Sequence, residues 1–427
     1  MTLTERDRNY IWHPFTQEKT AKPAIVIKKA EDCYIYDEND TKYLDLVSSW
    51  WVNLHGHANP KIAQAIYEQA TQLEHVIFAG FTHAPAVDLC TQLAHYLPEN
   101  MTKFFFSDNG STSTEIALKM AYQYFVNTGE GERHLFLSFA GSYHGDTFGA
   151  MGVGNTNYHT IFKNICFKSL VVPYPETWWG DENIAEKEKE ALRTLDNYLE
   201  DHGKEIAAFI LEPLVQGASG MRMCRPEFLN KILDKVRKAG ILIIFDEVMT
   251  GFGRTGKLFA LEHLKFFPDI LCLSKGITGG FLPLALTVTT NKIYEAFWHD
   301  DWNYAFAHGH SYTANPIACA AANASLKLTI QALKEGMISN LEDQHKAGLY
   351  FLAENCQSIE HIRTKGTIAA FDLKEKFLGK NLQEIFFNRG LLLRPLGKTI
   401  YLLPPYTISD KDLCNAYELI CHEINKL

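Results

Sequence analysis

Residues 241–248, Ile-Leu-Ile-Ile-Phe-Asp-Glu-Val, and residues 270–276, Ile-Leu-Cys-Leu-Ser-Lys-Gly, decide the fold. Each begins as a short, unbroken apolar run, the pattern of a strand buried on both faces. Each then meets a charged residue and a turn. Asp246 closes the first run, and Lys275 follows the second, twenty-nine residues later. Outward from this pair the same alternation continues. Thr102–Ser107 is an aromatic strand that passes through Asp108-Asn109-Gly110 into a helix beginning near Ser111. His134–Phe139 and Ala207–Leu211 are further strands, and Pro226–Ala239 is a helix with proline in its first turn. Buried strands alternating with helices make this an α/β chain with a mainly parallel sheet flanked by helices.

The two ends read differently. Ile25–Leu46 alternates apolar and polar residues about Asp37-Glu38-Asn39-Asp40, which predicts a half-exposed hairpin. Beyond Leu326 a long charged helical pattern runs to Glu354, then shorter strands and a last helix from Ser409. We expect a large domain over 56–325 and a smaller α+β domain built from both ends, 1–55 and 326–427. The charged run Glu182–Glu190 is expected to be a solvated helix face.

The 427 residues, 46% hydrophobic and 21% charged, suffice for more than one core. The net charge of -9 is spread without a basic stripe, which argues against nucleic acid and anionic membrane as partners. No signal-peptide pattern opens the chain and no apolar run approaches a bilayer span, so the expected location is cytoplasmic. Nine scattered cysteines form no Cys-x-x-Cys pair, so neither a metal site nor a disulfide framework is expected.

Chemistry concentrates on the opening pair. Ligands of open α/β sheets bind where strands end, so Asp246 and Lys275 should share one crevice. Alone, the aspartate would be a turn or cap and the lysine a surface residue; their coincidence on successive buried strands gives them another meaning. Desolvation lowers a lysine's pKa and suits it to Schiff-base formation. A carboxylate beside it would keep a pyridinium nitrogen protonated, so that the ring accepts carbanion electrons. Gly110 and Ser111 open a helix whose N-terminus favours a phosphate, and Tyr143, at another strand end, is placed to lie on a cofactor ring.

The segments FDEVMTGFGRTG (245–256), LSKGITGG (273–280) and HGHSYTANP (308–316) resemble the class III aminotransferases of fold type I, over essentially the whole chain. The resemblance implies a seven-stranded-type sheet and pyridoxal 5′-phosphate as cofactor. It implies that Gly110 and Ser111 bind phosphate, Tyr143 stacks on the ring, Asp246 pairs with the pyridine nitrogen and Lys275 carries the cofactor. His310 belongs beside the cofactor and Gly309 beside substrate. Ser311 matches the residue that reaches phosphate from a partner subunit, which implies a homodimer with shared sites; many members carry Thr there, and Ser keeps the hydroxyl.

Two further segments, YIWHPFTQ (10–17) and SSWWVNLHG (48–56), resemble the family branch that aminates 8-amino-7-oxononanoate for biotin synthesis. There Trp50 would line an apolar channel, Arg394 would pair with the substrate carboxylate, and Asp146 would lie near the donor or acceptor amine, with Arg254 holding the loop. Phe15 stands where the branch usually carries Tyr. That removes a hydroxyl and leaves the amino donor open between S-adenosylmethionine, the usual one, and lysine. The alternatives are another class III ω-aminotransferase acting on a diamine or amino acid, an aminomutase or decarboxylase, and a cofactor-binding regulator.

Overall fold

The computed structural model describes residues 1–375 and 381–427. Three short strands lie near the start, β1 (Ile27–Glu31), β2 (Tyr34–Asp37) and β3 (Lys42–Asp45), paired antiparallel in that order. The expected hairpin is therefore the second half of a three-stranded meander. Its first turn, where Asp32 takes φ 50°, has no Gly or Pro to announce it.

The central sheet follows, from β4 (Lys103–Ser107), β5 (Leu135–Phe139), β6 (Leu170–Val172) and β7 (Ile206–Leu211). A small two-stranded ladder, β8 (Val215–Gln216) and β9 (Arg222–Met223), stands apart from it. The sheet is completed by β10 (Leu242–Asp246), β11 (Ile270–Leu273) and β12 (Ala285–Thr289), in the order β4-β12-β11-β10-β7-β5-β6. β10 pairs parallel with β7 and β11, while β12 runs antiparallel to both its neighbours. The reason is the connection: residues 274–284 hold one 3₁₀ turn, too little chain for the helical crossover that a parallel return needs. β12 was not anticipated from the sequence.

Every strand of the opening stretch is buried, as is β7. Helices cover both faces, among them Gly110–Asn127, which packs on β11 and β12, and Pro226–Lys238, which packs on β10. The sheet thereby brings the ends of β4, β5, β7, β10 and β11 to one side, where Asn109, Tyr143, Glu212, Asp246 and Lys275 stand.

The last part of the chain contains β13 (Ile359–Lys365), β14 (Ile368–Leu373), β15 (Leu391–Leu392) and β16 (Thr399–Leu402). β13, β14 and β16 form their own antiparallel sheet, and β15 joins β3 in parallel. The predicted long charged helix is two helices, Pro316–Lys334 and Met337–Asn355, broken where Gly336 takes φ 75°. The final helix, Asp410–Ile424, is capped by Ser409, which accepts from the Asp412 N–H. The Glu182–Glu190 stretch mostly faces solvent, but Glu188 is buried and takes a two-pronged hydrogen bond from Arg225 at 2.7 and 2.8 Å. Charge pattern alone does not separate such a residue from its solvated neighbours.

Candidate active site

At the carboxyl ends of these strands lies a cavity of about 1110 Å³. Its floor is the β10–β11 pair. Asp246 is buried and held on both oxygens: Oδ2 shares a 2.7 Å hydrogen bond with His144 Nδ1, and Oδ1 accepts from the Val248 N–H at 3.0 Å. With both oxygens fixed, the carboxylate cannot turn, and its remaining lone pairs face the cavity. Beyond β11, Lys275 takes φ 44°, a left-handed conformation that a lysine adopts only when its surroundings impose it. Its ammonium lies 4.9 Å from the Trp51 ring centre and has no hydrogen bond or ion pair among the described residues. Burial lowers its pKa, against the opposing pull of Asp246 and Glu212. A lysine so placed has more free amine at neutral pH than one on the surface.

The wall beside β4 and β5 is a tight meeting of two turns. Asn109 caps the helix Gly110–Asn127 by accepting from the Thr112 N–H. The N–H groups of Gly110 and Ser111 belong to its first turn, where the helix itself supplies no acceptor. Gly110 is needed for packing, since a Cβ there would lie 2.6 Å from Val248 Cγ1. Gly145 is needed twice over: it takes φ +123°, and a Cβ would lie 2.1 Å from Ser111 Oγ. Ser111 Oγ accepts from the Thr147 N–H at 3.0 Å and bonds the Thr147 hydroxyl at 2.7 Å. The serine thus joins the two turns and presents the helix N-terminus to the cavity.

Tyr143 and Asp146 stand on the loop after β5, with the phenol donating to Asp146 Oδ2 at 2.9 Å. Burial and the Asp146 charge push that phenol's pKa up, so it keeps its proton. The loop is strapped from below by Glu212, which accepts the Tyr143 and Gly217 N–H groups at 3.2 and 2.9 Å. Burial, opposed by His144, pushes the Glu212 carboxyl up to about 7.

The mouth is aromatic. Phe15 meets Trp50 and Tyr158 edge to face, at 5.6 and 5.7 Å, and the Arg394 guanidinium lies 4.0 Å from the Trp50 ring centre. Trp50 is held there by an unusual turn, in which Ser48, Ser49, Trp50 and Trp51 all have positive φ. Four consecutive non-glycine residues in that region cost roughly 1–2 kcal/mol each, so other bonds must impose the turn. Ser48 donates to the Leu403 carbonyl, Ser49 to Asp45, and Trp51 Nε1 to the Tyr401 hydroxyl. Arg254 is buried and donates to the carbonyls of Trp51, Asn53 and Pro404 at 3.3, 3.1 and 3.0 Å. It does not line the cavity; it holds the tryptophan turn from behind. Arg254→Met should destabilise the protein by about 3 kcal/mol, since it strands buried carbonyls, and should loosen Trp50. Urea denaturation followed by tryptophan fluorescence reads both effects.

One cavity therefore gathers Phe15, Trp50, Gly110, Ser111, Tyr143, Asp146, Asp246, Lys275 and Arg394. Gly309 and Ser311 are exposed and do not line it. His310 lies near its edge, with Nδ1 3.5 Å from Asp108 Oδ2. His144, Glu212 and Tyr158 were missed in the sequence. Two of these had a signal: Glu212 ends a buried apolar strand as Asp246 does, and His144 follows Tyr143 at a strand end.

The class-III aminotransferase profile matches residues 15–424. An adenosylmethionine-8-amino-7-oxononanoate aminotransferase from Synechococcus elongatus is 47% identical over 425 residues, covering 98% of this chain and 99% of the relative. One from Helicobacter pylori is 40% identical, covering 97% and 95%. The crystal structure of the Methanocaldococcus jannaschii enzyme of that name superposes with TM-score 0.90 at 34% identity, covering 99% and 98%. A PLP-bound amine transaminase from an uncultivated Pseudomonas species gives TM-score 0.90 at 29% identity, covering 98% of each chain. The chain belongs to the class-III aminotransferases.

Proposed function

We propose that the protein transfers an amino group from S-adenosylmethionine to 8-amino-7-oxononanoate, giving 7,8-diaminononanoate for biotin synthesis. The observation that carries this reading is the cavity itself: Lys275 and Asp246 at its floor, Phe15, Trp50 and Tyr158 at its mouth, and a guanidinium at the rim. Relatives at 35–47% identity, matched over nearly their full length, bear that name and support the substrate assignment.

The cofactor of the family is pyridoxal 5′-phosphate, and the residues present fit it. A half-buried lysine with no ionic partner among the described residues, a carboxylate fixed on both oxygens and an anion-favouring helix N-terminus meet in one place. When bound, the cofactor supplies an electron-withdrawing ring that draws off the electrons of a broken C–H bond. Lys275 would hold it covalently and, as a free amine, would carry the donor's α-proton. Asp246 would hold the proton on the ring nitrogen, and His144 fixes the carboxylate that would do so. Gly110 and Ser111 would bind the phosphate, with the Ser111–Thr147 link setting their turn. Tyr143 would help to hold the ring. Arg394 binds the acceptor carboxylate while Trp50 and Phe15 cover its aliphatic chain.

The exposed Gly309 and Ser311 are best used across an interface. We infer a homodimer in which Ser311 of one protomer completes the phosphate site of the other; sedimentation equilibrium tests it. The β3–β15 pairing supports reading 1–55 and 326–427 as one smaller domain beside 56–325.

Mixing the cofactor-loaded protein with S-adenosylmethionine should bleach the cofactor's visible absorbance, and 8-amino-7-oxononanoate should restore it. Bleaching by lysine alone would replace the donor. Bleaching by neither would defeat the biotin-pathway reading.

A further inference from the structure

We propose that His159 is a positioning residue for the Tyr143–Asp146 pair, holding the carboxylate that receives the donor's cationic amine; this rests on the amino-transfer reading. The geometry is a chain of three side chains. Asp146 Oδ2 accepts the Tyr143 hydroxyl at 2.9 Å, and Oδ1 bonds His159 Nε2 at 2.9 Å. The imidazole also lies nearly parallel to the Tyr143 ring, at 24° and 5.6 Å between centres. One histidine thus holds the carboxylate by an edge and backs the phenol by a face.

Its setting shows that this is more than packing. The 3₁₀ segment Asn157–Ile165 is otherwise open to solvent, with Ile161 and Ile165 exposed, yet the His159 side chain is only 6% exposed. Among the described residues its Nδ1 has no partner, so its polar contact there is the one to Asp146. Asp146, by contrast, is 53% exposed on the cavity wall. A carboxylate that open would swing between solvent and Tyr143 unless its second oxygen were tied. With both oxygens engaged, the outer lone pairs keep one direction, toward the cavity. His159 also anchors its neighbour Tyr158, which meets Phe15 at the mouth. The histidine therefore ties the mouth of the cavity to its inner wall.

The test compares His159→Leu with His159→Gln, whose amide nitrogen can replace Nε2. His159→Leu should raise the donor concentration for half-maximal bleaching about tenfold, and the donor KM likewise, with kcat within about threefold of wild type, because a bond lost equally from ground and transition states appears in KM. His159→Gln should restore the donor KM to within about threefold of wild type. In an Asp146→Asn background His159→Leu should add less than about twofold, since the two act through one contact. In crystals of His159→Leu the Tyr143–Asp146 bond should be broken, a readout independent of turnover. If leucine disrupts the turn, His159→Asn, polar but too short to reach Oδ1, takes its place. The proposal is overturned if the donor KM of the leucine variant stays within about twofold of wild type. It is equally overturned if glutamine is as impaired as leucine, if the effects multiply with Asp146→Asn, or if the Tyr143–Asp146 bond survives in the crystal. A wild-type protein that no amine bleaches would instead defeat the amino-transfer reading, and the crystal comparison would still decide the role of His159.

Discussion

Lys275→Ala should lower kcat by about 10⁴-fold, the upper end of what a positioned proton-transfer group contributes. The side chain has two duties, covalent attachment of the cofactor and transfer of the α-proton, and no other amine faces the cavity floor among the described residues. The variant should still fold, because the left-handed backbone at 275 is imposed by its surroundings and the lysine ammonium forms no bond there whose loss would matter. It should still bind the cofactor through the Gly110–Ser111 turn, but borohydride should no longer fix cofactor to protein. Steady-state turnover near that of wild type would overturn the assignment. In the cofactor-free wild type, capture of the cofactor aldehyde needs the neutral amine. Because the lysine pKa is lowered, the capture rate should rise with pH through a midpoint below 10.5.

Asp246→Asn should be the next most damaging change, with kcat lower by about 10³-fold, as expected for loss of a preorganised charge at the reacting centre. The substitution conserves shape. Its carbonyl can still accept from the Val248 N–H, and its amide can face His144 Nδ1 in the other tautomer. What disappears is the negative charge that holds a proton on the ring nitrogen. Cofactor content and near-ultraviolet circular dichroism should therefore stay close to wild type while kcat collapses. A variant that loses cofactor or fold in proportion to activity would show instead that Asp246 serves structure.

The fold was legible where local pattern and tertiary setting agree. Buried strands carry their own signature, so β7, β10 and β11 fall within a residue of their expected bounds. β12 escaped because its direction depends on the length of the loop before it, and the break at Gly336 because charge continues across it. In the site, strand-end logic found Asp246, Lys275 and Tyr143, and the same logic applied evenly would have found Glu212. His159 and Tyr158 lie in an irregular segment where no periodicity points inward. Arg254 was expected to hold the loop at the site; the structure shows that it does so from behind, through the carbonyls of Trp51, Asn53 and Pro404. Phe15 was singled out for its missing hydroxyl; the structure shows it as the edge that joins Trp50 to Tyr158.

On the proposed function, nitrogen passes from S-adenosylmethionine to 8-amino-7-oxononanoate through the Lys275 site. The most direct measurement supplies donor labelled with ¹⁵N at its α-amine and analyses the product by mass spectrometry, for the wild type and for Lys275→Ala. Labelled 7,8-diaminononanoate is expected from the wild type and none from the variant. Absence of the diamine, or diamine without the label, would contradict it.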